Sequence, residues 1–344
     1  MQENPDIRSM SWEELNNLIN SFGEPKYRAK QAFGWLHAKG VSSNSEMTNI
    51  PGSLREKLPE PVTLEQADIR QSADGTRKYL FKLRDGYYIE SVLMRYKYGN
   101  TVCISSQAGC RMGCRFCAST LDGLSRNLAA SEMLDQIYRI THDINERISH
   151  IVVMGCGEPM DNFDNLIRFL SLITDPRGYG LSRRNITVST CGLADRIRDF
   201  ADLNTGVTLA VSLHAPFDEL RRTIMPITDR FSVAEVCDAA QYYFERTGRR
   251  VTFEYALADG VNDSDECASG LARIAGRLSA HVNLIPVNPV TERGYKPTSQ
   301  TEVSAFKNKL EKQGINVTIR RELGQDIDGA CGQLRKRRME EESD

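Results

Sequence analysis

From about residue 100 the chain repeats one hydrophobic pattern. A short run of apolar and β-branched residues is followed by a loop and, in most cases, by a stretch with helical periodicity. These apolar runs lie at 101–106, 149–155, 185–190, 207–213, 250–257 and 282–287, with a last one at 315–321. Strand and helix in alternation predict an α/β fold with a parallel sheet. Eight units would close a barrel, so six predict a partial (β/α)6 barrel that is open to a large substrate.

The first hundred residues follow two other patterns. The earlier part is polar with helical periodicity, and Ser11 and Glu14 have the spacing of a capping box. The later part alternates apolar and polar residues around the turn dipeptides Asp74-Gly75 and Asp85-Gly86, which favours antiparallel strands. We therefore expect a small N-terminal helical domain, an antiparallel β extension and a core domain, at 1–60, 61–100 and 101–344.

Composition and charge narrow the class of protein. The 344 residues include 44 basic and 46 acidic side chains, and this balance neither favours nor excludes nucleic acid. No run of about 20 apolar residues predicts a membrane span, and the N-terminus does not resemble a signal peptide. We therefore expect a cytoplasmic protein without membrane contact. Local basic clusters are candidates for phosphate contact: Arg183-Arg184, Arg221-Arg222, Arg249-Arg250, Arg320-Arg321 and Arg335 to Arg338.

Three of the nine cysteines are clustered directly after the first strand of the predicted barrel. Cys110, Cys114 and Cys117 have the spacing C-x3-C-x2-C, and the nearest following histidine is His142. A structural zinc site uses four ligands, so this spacing does not fit a zinc finger. Three thiolates instead suit a [4Fe–4S] cluster with one open iron, which can chelate S-adenosylmethionine. A catalytic zinc ion with three ligands and three merely buried cysteines are the alternatives.

The spacing of the triplet is the signature of the radical-SAM superfamily, and longer motifs resemble the RlmN/Cfr family of RNA adenine methyltransferases. The motifs occur in family order and include TVCISSQAGCRMGCRFC, VVMGCGEPMDN, NITVSTCG, VSLHAP, HVNLIPVNP and GQDIDGACGQL. The resemblance implies two molecules of S-adenosylmethionine per turnover and an electron donor such as flavodoxin or ferredoxin. It implies methylation of an adenosine in the peptidyl-transferase centre of 23S rRNA and of the adenosine 3′ of the anticodon in tRNA. We expect a monomer.

The same resemblance suggests which residues bind S-adenosylmethionine. Barrel enzymes build their sites at the carboxyl ends of the strands, and a carboxylate there can accept a hydrogen bond from the cofactor ammonium. The matching positions follow successive strands and are Gly157, Glu158, Ser189, Ser212, Leu213, His214 and Asn288. Four further cysteines are interpreted as packing residues: Cys156, Cys191, Cys237 and Cys267.

By resemblance, three further residues act on the RNA. Cys331 lies in a glycine-rich tail and is the residue that is methylated and carries the methyl group. Cys103 resolves the covalent adduct, and Glu90 is the proton acceptor. A radical route is needed because carbon 2 of adenine is electron-poor and does not attack a sulfonium. Attack of the Cys103 thiolate on the Cys331 sulfur leaves a disulfide that must be reduced.

Two other reactions are alternatives. The carbon-8 methyltransferases of the family tend to carry alanine where this chain has Pro159, which favours carbon 2. Another radical-SAM reaction, such as the activation of a protein radical enzyme, would not require Cys103 or Cys331. A non-catalytic RNA-binding protein with a structural metal ion is the third hypothesis.

Overall fold

The N-terminal part of the chain is helical in the computed structural model, which describes residues 6–288, 293–321 and 323–327. The Ser11 hydroxyl accepts a hydrogen bond from the Glu14 amide, and the Glu14 carboxylate accepts one from the Ser11 amide, so the predicted capping box is confirmed. The α-helices of this N-terminal part are α1 (Trp12–Ser21), α2 (Lys26–Phe33) and α3 (Gly52–Arg55). Helix α2 continues as a π-helix over Gly34–Lys39 and ends at Gly40, whose φ of 63° is a left-handed cap.

An antiparallel meander of four strands follows. Asp74 accepts a hydrogen bond from the Thr76 amide, and Gly75 and Gly86 both have a φ of 87°, so both predicted turn dipeptides are confirmed as turns. The strands are β1 (Glu65–Gln71), β2 (Arg77–Lys82), β3 (Tyr88–Tyr96) and β4 (Gly99–Ile104).

The parallel part of the sheet begins at β4. Six further strands continue it in chain order, which confirms the open α/β barrel predicted from the strand–helix repeats. These strands are β7 (Ile148–Val153), β8 (Ile186–Thr190), β9 (Thr208–Ser212), β10 (Thr252–Leu257), β11 (His281–Pro286) and β12 (Asn316–Ile319). Strands β5 (Gln107–Gly109) and β6 (Leu124–Asn127) pair with each other in a separate two-stranded sheet. In the described residues the ten strands form one sheet with β1 and β12 at its two edges, so the barrel is not closed.

Helices connect the parallel strands and cover one face of the sheet. They are α4 (Ala130–Ile144), α5 (Phe163–Ile173), α6 (Ala194–Asp202), α7 (Asp218–Ile224), α8 (Val233–Thr247), α9 (Asp265–Arg277) and α10 (Gln300–Lys312). The apolar sides of the helices and of the strands form one large core that extends into the N-terminal helices. Among the described residues, no helix combines the length and the apolar character that crossing a bilayer requires.

A buried ion pair attaches the N-terminal helices to the barrel. The Arg8 guanidinium donates to the Asp135 carboxylate on α4, and both side chains are 0% exposed. Arg8 also donates to the Val62 carbonyl, and the second oxygen of Asp135 accepts from the Leu64 amide at 2.7 Å. Because a buried charge is tolerated only when it is paired and hydrogen-bonded, this network holds the segment before β1 against α4.

Candidate active site

A cavity of about 240 Å³ lies at the carboxyl ends of the parallel strands, where barrel enzymes carry their sites. It is lined by the loop that follows β5 and by residues from the ends of β7 to β11. Most of the residues proposed for the metal and the cofactor line it: Cys110, Cys114, Cys117, Gly157, Glu158, Ser189, Ser212, His214 and Asn288. Residues that are far apart in sequence therefore share one cavity.

Backbone hydrogen bonds fix the loop that carries the three cysteines. Gly109 has a φ of 78°, and a Cβ there would lie 2.0 Å from the Gly123 carbonyl oxygen, so the close approach requires glycine. The Cys110 amide donates to that same carbonyl at 2.9 Å. At the other end, the Thr120 hydroxyl lies 3.0 Å from the carbonyl oxygens of Cys114 and Cys117. The loop thus turns back on itself and presents all three cysteines to the cavity.

The chemistry of these cysteines fits an iron–sulfur cluster. The three thiols line one cavity and can bind three irons of a four-iron cluster, which leaves the fourth iron open to a ligand. Burial raises the pKa of the Cys114 thiol to about 12, and bound iron would supply the charge that stabilises the thiolate.

Glu158 is held rigidly at the wall of the cavity. Gly157 has a φ of 104°, and a Cβ there would lie 2.5 Å from the Gln107 Cβ, so glycine permits the turn that precedes Glu158. The two oxygens of the Glu158 carboxylate accept from the amides of Met160 at 2.9 Å and of Cys191 at 2.7 Å. Burial raises the pKa of Glu158, and these hydrogen bonds act in the opposite direction. The arrangement offers a fixed carboxylate to a cationic ligand.

A second buried carboxylate, which the sequence analysis did not single out, connects three strand ends. Glu254 on β10 is 6% exposed and lines the cavity. Its Oε2 accepts from the Ser189 hydroxyl at 2.8 Å and lies 3.5 Å from the Ser212 hydroxyl. No described residue hydrogen-bonds its Oε1, so this oxygen can accept from a ligand. The signal in the sequence was one acidic residue inside an otherwise apolar strand.

His214 is neutral and has a defined tautomer. Its φ of 56° lies in the left-handed region, and its Nδ1 accepts from the Ala256 amide at 2.8 Å. Burial lowers the pKa of His214 to about 3, with a smaller contribution from Arg221. Because Nδ1 is an acceptor, the ring proton resides on Nε2, which can donate to a ligand.

The structure places three further residues of the sequence analysis. The Leu213 side chain is fully buried and does not line the cavity, and its backbone hydrogen-bonds Glu254 and Arg221, so a role in cofactor binding stays a prediction. Arg221 was a candidate for RNA contact, and this is wrong, because the side chain is 0% exposed and donates to the carbonyls of Cys191 and Leu213. Cys191, expected to be a packing residue, lines the cavity beside Glu158.

The proposed proton acceptor and resolving cysteine lie on the neighbouring antiparallel strands. Cys103 on β4 is directly opposite Val92 on β3, and paired residues project from the same face. Glu90 precedes Val92 by two positions, so Glu90 and Cys103 share that face. Neither residue lines the cavity described above. Cys331 and the cluster Arg335 to Arg338 lie outside the described residues.

Comparisons with known protein families support the interpretation of this cavity as a cofactor-binding site. The family model of the Radical SAM superfamily matches residues 104–268, and the model "Ribosomal RNA large subunit methyltransferase N-terminal domain" matches residues 6–64. The superfamily implies a [4Fe–4S] cluster and S-adenosylmethionine, and the cysteine loop and cavity fit both.

Similar proteins extend the match over nearly the whole chain. A protein of Lachnospira eligens named "Probable dual-specificity RNA methyltransferase RlmN" is 58% identical over 98% of this chain and 97% of its own length. A protein of the same name from Lachnoclostridium phytofermentans is 52% identical over 97% of this chain and 95% of its own. The crystal structure of a radical SAM methyltransferase from Sphaerobacter thermophilus has a TM-score of 0.91 at 41% identity, covering 95% of this chain and 98% of that one. The chain belongs to the RlmN family of radical SAM methyltransferases.

Proposed function

We propose that the enzyme methylates carbon 2 of an adenosine in the peptidyl-transferase centre of 23S rRNA and of the adenosine 3′ of the anticodon in tRNA. One observation carries the proposal: the three cysteines share a cavity with Glu158, Ser189, Ser212 and His214. The names of the relatives support RNA as the substrate and a dual specificity. Pro159 favours carbon 2 over carbon 8. Both RNAs are cytoplasmic, and we propose that the enzyme acts there as a monomer.

The cavity residues would bind and orient the cofactors. Cys110, Cys114 and Cys117 would hold the cluster, and the fixed carboxylate of Glu158 would accept hydrogen bonds from the ammonium of S-adenosylmethionine. Glu254 Oε1 and His214 Nε2 offer an acceptor and a donor to the rest of the molecule. When bound, the cluster and S-adenosylmethionine supply a 5′-deoxyadenosyl radical, after a protein such as flavodoxin or ferredoxin has provided one electron.

Three residues would handle the RNA. Cys331 accepts a methyl group from one S-adenosylmethionine and loses a methyl hydrogen with the use of a second, and the resulting carbon radical adds to adenine. The adduct radical must also give up one electron, which the oxidised cluster would accept, and Glu90 takes the proton from carbon 2. Cys103 then attacks the Cys331 sulfur, which breaks the carbon–sulfur bond and leaves a disulfide for external reduction. The released methylene carbon takes up a proton and becomes the methyl group of the RNA. Glu90 and Cys103 lie on the same face of the sheet, which supports their action on one adduct.

The target adenine must leave its stack to reach this site. Bases that undergo chemistry inside folded RNA are splayed out into a pocket. Arg320, after β12, lines the cavity and would contact a phosphate near its mouth. We propose that the N-terminal helical domain at 1–60 contributes to RNA binding. The matched model for ribosomal RNA methyltransferases over residues 6–64 supports this.

Mass mapping of modified nucleosides tests the proposed function. 23S rRNA and tRNA are isolated from a strain that lacks the gene and from the same strain with the gene restored. We expect 2-methyladenosine to be absent from both RNAs in the first strain and present in both in the second. If 8-methyladenosine is the main product, the carbon-8 alternative is correct. If neither RNA changes, the substrate assignment is wrong.

A further inference from the structure

A buried lysine lies beside the proposed proton acceptor and has no part in the function described so far. Lys78 on β2 and Glu90 on β3 form an ion pair with 3.4 Å between Nζ and Oε1, and their side chains are 1% and 7% exposed. Lysine is among the residues that are least often fully buried, and it is buried when it is paired. The burial of the Lys78 ammonium is therefore tied to its ion pair with Glu90.

The register of the sheet aligns Lys78 with the reactive residues. Lys78 is directly opposite Val92 on β3, and Val92 is directly opposite Cys103 on β4. Residues opposite each other across strands project from the same face, as do residues two apart along one strand. Lys78, Glu90 and Cys103 thus share one face of three adjacent strands. The opposite face contacts helix α4, because Ser91 on that face hydrogen-bonds Gln136 of α4.

Buried apolar side chains neighbour the pair on the same face. Leu80 lies opposite Glu90 and is 0% exposed, and Tyr88 is two residues before Glu90. Leu80 and Tyr88 form a small apolar cluster apart from the main core. A carboxylate in such surroundings requires a nearby counter-charge, because burying an isolated charge is very unfavourable.

We propose that Lys78 is a positioning residue, whose ammonium supplies the counter-charge of the Glu90 carboxylate and fixes its direction on the face that carries Cys103. The inference rests on the proposed role of Glu90. In the step concerned, the adduct radical has given up one electron to the oxidised iron–sulfur cluster, the proton on carbon 2 passes to the Glu90 carboxylate, and its bonding electrons restore the aromatic ring of the adenine. Lys78 neither gains nor loses a proton. Its effect is confined to a step that follows formation of the covalent adduct.

The order of steps gives a readout that a structural role would not produce. Holoenzyme variants are incubated with S-adenosylmethionine, reductant and a labelled 23S rRNA fragment. Adduct is measured on a denaturing gel, and 5′-deoxyadenosine is measured by chromatography. We expect Lys78→Met to accumulate the RNA adduct and to form product at least tenfold more slowly, with initial formation of 5′-deoxyadenosine within twofold of wild type. Lys78→Arg retains the cation and should recover most of the product formation.

Two further variants provide the controls. Lys82→Met removes a lysine from the same strand and face, opposite Tyr88, and should behave as wild type. Glu90→Gln removes the proton acceptor and should accumulate the adduct. Lys78→Met combined with Glu90→Gln should be no slower than Glu90→Gln alone, because both changes act on one step.

Three results would overturn the inference in distinguishable ways. If Glu90→Gln accumulates adduct and Lys78→Met forms product at the wild-type rate, Lys78 does not position Glu90. If Lys78→Met loses adduct and 5′-deoxyadenosine together, its role is structural. If Glu90→Gln forms product normally, the proposed function has the wrong proton acceptor, and the inference for Lys78 fails with it.

Discussion

The Ser189 hydroxyl donates a 2.8 Å hydrogen bond to Glu254 Oε2 and thereby connects the ends of β8 and β10 across the intervening strand β9. Ser212, at the end of β9, lies 3.5 Å from the same oxygen. Three neighbouring strand ends are therefore tied together by one buried carboxylate at the wall of the cavity. No described residue hydrogen-bonds the second oxygen of this carboxylate, and we propose that this oxygen contacts the bound cofactor.

Replacing Glu254 should weaken the binding of S-adenosylmethionine. We expect Glu254→Ala to lower the affinity about tenfold, because about 1.4 kcal/mol is lost with a charge-assisted hydrogen bond. Equilibrium binding to the anaerobically reconstituted enzyme measures this change. Glu245→Ala, at an exposed position on α8, is the control and should bind normally. An unchanged affinity of Glu254→Ala would show that Glu254 only holds the serines.

The cysteine loop should hold iron rather than zinc. Enzyme purified without oxygen should be brown and lose its colour in air, and each of Cys110→Ala, Cys114→Ala and Cys117→Ala should lose iron and sulfide. Cys237 is also buried but lies on α8 and does not line the cavity, so Cys237→Ala should retain the cluster. Measuring the iron, sulfide and zinc content of the purified variants distinguishes a cluster from a zinc ion. A zinc-loaded protein without iron after reconstitution would contradict this interpretation of the loop.

His37 should make the fold sensitive to acid. Its Nδ1 lies 3.1 Å from the Tyr138 hydroxyl, and burial lowers its pKa from the ordinary value of about 6.5 to about 3, assisted by Arg8. The unfolded chain binds a proton below pH 6.5 that the native state does not, so the free energy of unfolding falls as the pH drops from 6.5 toward 3. At pH 5 the loss from this one group is about 2 kcal/mol.

Urea denaturation at pH 7 and pH 5 measures this effect. The free energy of unfolding of wild type should fall between the two pH values by about 2 kcal/mol more than that of His37→Gln. The comparison between the two proteins removes the contribution of all other groups, including His214. Equal losses in both proteins would mean that His37 is protonated in the native state.

The ion pair between Arg8 and Asp135 should be a major determinant of stability. Asp135→Ala leaves the Arg8 guanidinium buried without its counter-ion, and removal of one partner of a buried pair costs roughly 3–5 kcal/mol. Asp238→Ala breaks an exposed pair with Arg277 and should cost at most about 1 kcal/mol. The midpoints of chemical denaturation measure both. Equal effects of the two substitutions would contradict this account of how the N-terminal helices are attached.

Local patterns predicted the parallel strands well and the short elements poorly. The runs at 185–190 and 207–213 become β8 and β9 with small shifts at their ends, because alternating helices and apolar strands leave few other arrangements. The pair β5 and β6 was not predicted. Strands of three and four residues are too short to establish a period of two, and their pairing depends on the fold around the cysteine loop.

The residues that sequence reasoning missed or misassigned are buried polar ones. Glu254 meets Ser212, which is 42 positions away in the chain, and no local pattern reveals that contact. Arg221 was interpreted as a candidate for phosphate contact because basic residues are mostly exposed, yet carbonyls from two strand ends surround it. Lys78 is buried for the same reason, since its partner lies on the next strand. Burial of such groups is decided by partners that the fold brings together.

In the proposed mechanism, Cys331 carries the methyl group to RNA and Cys103 releases the adduct. A denaturing gel with labelled RNA, run for Cys103→Ala and Cys331→Ala after expression, tests it most directly. Methylation of Cys331 and radical addition do not need Cys103, so Cys103→Ala should show a shifted, nuclease-sensitive band. Cys331→Ala cannot accept the first methyl group and should show none. A band in both variants, or in neither while S-adenosylmethionine cleavage persists, would contradict the covalent mechanism.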